Sequence, residues 1–453
     1  MSEMDRRRVA RERERARKAR ERRRRRTITI SVLIVVLVLL IVFFVKACTP
    51  EEEKQDENPA VNSGAVQSDS GEEEEEPKGD PNEVVATANV LSTGDILIHQ
   101  MLLDNSKVDG GYGFDKHFTT VTEKVKAADY AVANFEVTLG GAERGYSCYP
   151  CFNIPDTLGD ALWNAGFDFL LTANNHCYDS SFAGLKRTVN TLRDMGFETT
   201  GTRSDLSQKK YSVVDVNGIK LGIVNYTYET TPTVEGRKAL NGILMSVEAE
   251  DYVNSFHEDK LDSFYSEMEQ NIADMKADGA EAIILYIHWG VEYSLTPNAS
   301  QKAIAQKMCD LGVDAIIGGH PHVLQSSDVL TSEVSGKKTF CIYSVGNALS
   351  NQRSAYMGVY GTGHTEDGIL VYTEFKKYGD GRVELSSVDY VPTWVNRYEQ
   401  SGQYVYAITE IVTVAEASDI HSGSEPDMLD TFECLDVVVC IIYISVNLCR
   451  HIL

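Results

Sequence analysis

The chain has 453 residues, 43% of them hydrophobic and 24% charged, and a formal net charge of −24. That length corresponds to roughly two to three domains. The charge is uneven: residues 1–26 carry thirteen Arg, one Lys and five acidic residues, so the remainder is more acidic than the total shows. An acidic body excludes a nucleic-acid binder.

In chain order, residues 1–26 read as a basic cytoplasmic segment and 27–46 as one transmembrane helix. Between Thr27 and Val45 only Thr27, Thr29 and Ser31 are polar, and about 20 apolar residues span a bilayer as a helix. Positive charge stays inside, so the main domain is expected outside the cell membrane, on a single-pass anchor. Residues 47–83, with Glu51–Glu53 and Glu72–Glu76 among Ser, Gly, Asn and Pro, read as an acidic disordered linker.

From 84 to 400 the pattern is α/β. A strand at Ala86–Leu91 ends at Gly94-Asp95, and a helix at Thr120–Ala128 leads to a strand at Tyr130–Phe135, ending at Glu136. A helix at Asp156–Asn164 precedes a strand at Phe167–Thr172, ending at Asn174-Asn175-His176. Ser181–Met195 is amphipathic. Asn217-Gly218 joins Tyr211–Val216 to Ile219–Asn225 as a hairpin. Leu261–Ala277 reads as a helix and Ala282–Ile287 as a strand ending at His288. Asn298–Leu311 is the next helix, and the strand Val313–Ile317 ends at Gly318-Gly319-His320. Phe340–Val345 ends at Gly346-Asn347. Apolar, β-branched runs alternating with helices indicate buried strands covered on both faces. Residues 401–453 read as a tail of unassigned role.

Asp95, Glu136, Asn175, His176, His288, His320 and His322 each follow the carboxyl end of a strand, the edge at which open α/β sheets form sites. One such residue is ordinarily a loop or cap residue; the recurrence points to a divalent cation, with Mn²⁺, Fe²⁺ and Zn²⁺ suited to carboxylate, amide oxygen and imidazole. Cys148 and Cys151 read as a disulfide in an exported domain, with Cys151–Cys177 the other pairing. Cys309 and Cys341 read as buried thiols, and His117, His257 and His364 as structural or surface residues.

The segments Gly94-Asp95-Ile96-Leu97, Asn134-Phe135-Glu136, Thr172 to Asp179, His288 to Tyr293, Gly318 to His322 and Tyr343 to Asn347 resemble the ordered motifs of the bacterial capsule-synthesis (CapA, poly-γ-glutamate biosynthesis) family. That family is similar to the calcineurin-like metallophosphoesterases. The resemblance implies a metallophosphatase-like, four-layer β-sandwich flanked by helices. It implies metal ligands at Asp95, Glu136, Asn175, His288, His320 and His322. His176 would protonate the leaving group and Glu292 would serve as general base, with Asn347 and Tyr293 touching substrate. A bound ion would lower the pKa of its water toward ~7. Two departures stand out: Leu97 occupies the place of an imidazole ligand, with His99 two residues further as a partial replacement, and Glu136 replaces the bridging Asp.

The expected partners are an anionic capsule polymer such as poly-γ-glutamate, the membrane through 27–46 and other capsule-synthesis membrane proteins. The expected role is capsule biosynthesis with a metal-dependent hydrolase site; the alternative is a non-catalytic assembly or export factor that keeps the fold to bind polymer.

Overall fold

The computed structural model describes residues 80–232, 234–357 and 364–411. The basic segment, the apolar run 27–46, nearly all of the acidic linker and the chain beyond 411 lie outside the described residues. Among the described residues no helix is long and apolar enough to cross a membrane.

The longer strands are β1 (Val84–Ile96), β2 (Tyr130–Phe135), β3 (Phe169–Leu171), β4 (Glu198–Thr200), β5 (Tyr211–Val216), β6 (Ile219–Tyr228), β7 (Ala282–His288), β8 (Ala315–Gly319), β9 (Ser327–Thr331), β10 (Lys338–Ile342), β11 (Asn347–Leu349), β12 (Asp367–Tyr378), β13 (Val383–Gln400) and β14 (Gln403–Glu410). One sheet has the order β14-β13-β12-β1-β2-β3-β4, with β11 on the end of β1; the other runs β6-β7-β8-β10-β9, with β5 against β6. In the first, β1 is central, parallel to β2 and antiparallel to β12. In the second, β6, β7, β8 and β10 are parallel, so the helical crossovers that parallel pairing requires fall on the sheet face.

The continuous apolar runs follow from burial on both faces. Along a strand, neighbouring side chains point to opposite faces. Thus Ile284 and Tyr286 join Val90, Val132, Phe169 and Ile317 in a core shared by the two sheets. Ile283 and Leu285 instead pack with Met268 and Ile272 of helix Leu261–Ala277 and with Ile304 and Met308 of helix Ala299–Leu311. On the other side, Leu91, Ala131 and Leu170 pack with Leu158 and Leu162 of helix Thr157–Ala165 and Leu192 of helix Ser181–Asp194. This mixed α/β arrangement is consistent with the metallophosphatase-like fold.

Local chemistry sets the boundaries. Asn298 Oδ1 accepts from the Gln301 amide at 2.8 Å and Gln301 Oε1 accepts from the Asn298 amide at 2.9 Å, a capping box that starts helix Ala299–Leu311. The expected hairpin between β5 and β6 forms, with Asn217 and Gly218 both at positive φ. At Gly94 a Cβ would collide with the carbonyl of Gly346, so only glycine lets β1 and β11 approach this closely. The register slips between Thr93 and Asp95 there. Such a bulge re-aims the side chain that follows it, here Asp95.

The fold also extends past residue 400. β14 pairs antiparallel with β13, Gln400 opposite Gln403, and buries Val405, Tyr406, Ala407 and Ile408. His117, set aside as structural, accepts the Tyr406 amide at Nδ1 (3.1 Å) and meets Ser106 Oγ at Nε2 (2.9 Å), which ties β14 to the first sheet's helices. A chain ending at Gln400 loses four buried side chains, each large one contributing about 1.5–3 kcal/mol. Its thermal unfolding is expected to shift strongly downward and lose cooperativity; a truncated chain that melts like the full one contradicts this packing.

Candidate metal centre

The carboxyl edges of both sheets meet at one point. Asp95 lies at the end of β1, Glu136 directly after β2, and Asn175 and His176 after β3. His288 ends β7, and His320 and His322 follow β8. The carboxylates are wholly buried and the three ligand-type imidazoles nearly so. Three overlapping groups have ligand atoms within 4.8 Å of one another: Glu136, His288 and His320; Asp95, Glu136 and His322; and Glu292, His320 and His322. Asn175 joins through Oδ1, 2.9 Å from His288 Nε2. The sequence-predicted ligands are therefore brought together.

Backbone strain and space fix their aim. His320 and His322 hold φ of 95° and 56°, and Tyr293 holds 63°, conformations that L-residues keep only when their surroundings over-determine them. The His320 amide donates to Asp95 Oδ2 at 3.1 Å, and the Tyr293 amide donates to the Pro321 carbonyl at 2.8 Å. At Gly319 a Cβ would stand 2.9 Å from Asp95 Oδ1 and 3.5 Å from His288 Nδ1, so the bare backbone leaves room for both.

Charges inside the cluster are matched. Burial alone would raise the Asp95 carboxyl, but the hydrogen bond from His322 and the charges of His288 and His322 hold it below its ordinary value. Burial opposes a charge on His322, yet Glu136 and Asp95 (3.2 Å from Nδ1) push it up to about 9. Burial, then the neighbouring His288 and His322, drive His320 well below the ordinary histidine value. Three atoms of two groups lack hydrogen bonds. Neither oxygen of Glu136 has a hydrogen-bond partner, and neither does His320 Nδ1; His288 Nε2 approaches Glu136 Oε1 to 3.2 Å without hydrogen-bond alignment. Burying a carboxylate without hydrogen bonds is costly, and a divalent cation satisfies such a carboxylate and an orphaned imidazole nitrogen together. The donor set thus fits a divalent metal.

Several expectations need correction. Asn347 is wholly buried: Oδ1 meets His322 Nδ1 at 3.1 Å, and Nδ2 donates to Gln352 Oε1 at 2.8 Å and the Thr365 carbonyl at 2.9 Å. Both amide protons are spent within the fold, so Asn347 faces His322 through Oδ1 and has no amide proton left to donate to a substrate. Leu97 is in the hydrophobic core. His99 lies outside the three ligand groups and its Nδ1 accepts from the Asn351 amide at 3.3 Å, so it does not replace the missing ligand. Cys148, Cys151 and Cys177 are free thiols, and neither expected disulfide forms. Glu292 is exposed at the rim, while Tyr293 is half-buried with its ring 6.2 Å from that of His322.

Other residues contribute that the strand-end rule does not single out. Asn134 Nδ2 donates to Asp95 Oδ1 at 2.7 Å and stands 3.4 Å from His288 Nδ1, linking the two sheets. Asp179 Oδ2 accepts from His176 Nδ1 at 2.8 Å and from the Phe152 amide at 2.7 Å. Asn241 Nδ2, at a hairpin tip with φ of 48°, contacts His176 Nδ1 at 3.3 Å. Spacing offered one signal: Asp179 lies three residues after His176 in the same motif.

The family model described as "Bacterial capsule synthesis protein PGA_cap" matches residues 89–352, a span that holds every candidate site residue. The chain is similar to the PGA biosynthesis protein CapA of Bacillus subtilis (strain 168), 27% identical over 300 residues, or 65% of this chain and 70% of that one. It is similar to the capsule biosynthesis protein CapA of Bacillus anthracis, 28% identical over 297 residues, or 64% of this chain and 65% of that one. A shorter match, 28% identical over 173 residues, covers 37% of this chain and 10% of the trifunctional nucleotide phosphoesterase protein YfkN of Bacillus subtilis (strain 168).

Gly319→Ala tests the packing of the cluster. The added methyl group must displace Asp95, so stability is expected to fall by about 1–3 kcal/mol while divalent-ion uptake falls far more. Uptake equal to wild type contradicts the geometry.

Proposed function

The chain belongs to the bacterial capsule synthesis protein PGA_cap family, and on that premise we propose that it serves capsule or poly-γ-glutamate biosynthesis as a membrane-anchored, extracytoplasmic protein with a metal-dependent hydrolase-type site. The names of the two CapA relatives support the process. The observation that carries the site is the buried Glu136 carboxylate, neither oxygen of which is hydrogen-bonded, among His288, His320 and His322. The basic segment, the apolar run 27–46 and the acidic spacer support the anchor, with the N-terminus inside.

Asp95, Glu136, Asn175, His288, His320 and His322 would hold the ion; Mn²⁺, Fe²⁺ and Zn²⁺ all suit this donor set. A bound divalent ion supplies a Lewis-acidic centre and a water of lowered pKa. His176, its Nδ1 held by Asp179, directs Nε2 away from that carboxylate and is the group to protonate a leaving atom. Glu292, at the rim within reach of His320 and His322, accepts a proton. Tyr293 touches substrate beside it. A protein of net charge −24 repels a polyanion, and a divalent ion held here would offset that field locally where the polymer must approach. Other capsule-synthesis membrane proteins are the expected neighbours.

One observation favours a second reading, a non-catalytic polymer-binding assembly or export factor. Leu97 lies in the core where the resemblance places an imidazole ligand, and His99 does not take its place, so a two-metal hydrolase set is incomplete.

Elemental analysis tests the metal site, and a substrate screen beside it separates these readings. Wild type supplied with Mn²⁺, Fe²⁺ or Zn²⁺ is expected to retain ion, and His288→Ala to lose roughly tenfold or more in affinity, as metal-site variants do. An ion-free wild type contradicts the site. With phosphoester and poly-γ-glutamate substrates, His176→Ala is expected to keep ion and fold but lose turnover. Retained turnover removes the acid, and ion-loaded wild type without turnover on any substrate leaves the second reading.

A further inference from the structure

His99 is placed by neither the ligand groups nor the hydrophobic core. It stands at the N-cap of helix Gln100–Asn105 yet makes no side-chain cap bond, although an N-cap side chain ordinarily accepts a helix amide. Its ring is turned instead toward the site loops. It meets Phe152 edge-on at 5.7 Å, and Phe152 meets His176 edge-on at 4.7 Å, so one aromatic ring positions both imidazoles.

Hydrogen bonding fixes its tautomer. Nδ1 accepts from the backbone amide of Asn351 at 3.3 Å. A backbone N–H can only donate, so Nδ1 keeps its lone pair and the proton of the neutral ring sits on Nε2. Burial, then the charges of His322 and His176, press the ring down to about 3, in accord with a neutral donor. The residue is half-buried, and among the described residues Nε2 makes no hydrogen bond and is not sealed from solvent.

We infer that His99 is a substrate-contacting residue of this site, its Nδ1 anchored by the Asn351 amide and its Nε2–H offered, beside His176 and the cluster, as an uncharged donor to an acceptor oxygen of the bound ligand. The inference rests on the metal-site reading for the place of that ligand. It explains why the residue two past Leu97 is an imidazole that ligates nothing. A neutral donor also recognises an oxygen without adding positive charge that would compete with the ion. The same chemistry serves a carboxylate or amide oxygen of a γ-glutamyl chain and an oxygen of a phosphate ester.

The test uses the full chain in detergent micelles, ¹⁵N-labelled at histidine and loaded with diamagnetic Zn²⁺, with tri-γ-glutamate and phenyl phosphate as probes. Long-range ¹H–¹⁵N spectra are expected to show the Nε2–H tautomer of His99, with its signal moving on addition of at least one probe. His99→Phe keeps a ring against Phe152. It is expected to bind that probe roughly three- to tenfold more weakly, the worth of one neutral hydrogen bond, with Zn²⁺ uptake and melting as in wild type. The probe that weakens identifies the oxygen. An Nδ1–H tautomer, unchanged affinity of His99→Phe for both probes, or Zn²⁺-loaded wild type that binds neither, overturns the assignment. A wild type that takes up no Zn²⁺ overturns the metal reading instead, and the tautomer then still decides the assignment of His99.

Discussion

Glu136 is held, fully buried, where two sheets press their carboxyl edges together, and no hydrogen bond reaches either of its oxygens. Most of the architecture can be traced to keeping it there. The shared core of Val90, Val132, Ile284 and Ile317 fixes the sheets face to face. The close approach of Gly94 and Gly346 bends the end of β1 so that Asp95 turns inward, and the positive φ of His320 and His322 turns their rings toward the same point. Strained backbone and a buried carboxylate without hydrogen bonds both disfavour folding. Their coincidence at one edge is the signature of a binding site, whereas a core optimised for stability would contain neither.

The strand-end rule found the six ligand-type residues because each lies where a buried apolar run stops, and that boundary is visible in sequence. It misjudged Asn347 for an equally physical reason. An amide that serves substrate and an amide that orients a neighbouring imidazole look alike until their hydrogen bonds are counted. Asn134 was hidden because it lies one residue before the strand boundary, and its partners Asp95 and His288 come from different sheets. Asn241 reaches His176 from a hairpin 65 residues away, a contact no local pattern encodes. Strands β12 to β14 were passed over because they follow one another in antiparallel pairs with no helix between them, while the reading followed apolar runs separated by helices. The Cys148–Cys151 pairing rested on an expected compartment and the Cys151–Cys177 alternative on nearness to the site loops, and neither gives the geometry of the thiols.

The departures from the phosphoesterase pattern gain definite meaning. Leu97 packs in the core and His99 is tied to Asn351, so that side of the site lacks a ligand that the two-metal enzymes of the resemblance have. The other side is complete: Glu136, His288 and His320 with Asn175 alongside, His322 oriented by Asn347, and His176 oriented by Asp179. That asymmetry is compatible with an ion that binds an anionic polymer as much as with one that promotes its cleavage, and it places the difference between the readings in the chemistry of His176.

The central claim is that one ion occupies the point where the sheet edges converge. Diffraction data collected from Mn²⁺-soaked crystals at the manganese edge test it most directly. The account predicts an anomalous peak within coordination distance of Glu136, His288 and His320, with those side chains near their positions in the metal-free protein. A peak elsewhere, or none under conditions where Mn²⁺ saturates the solution, would contradict it.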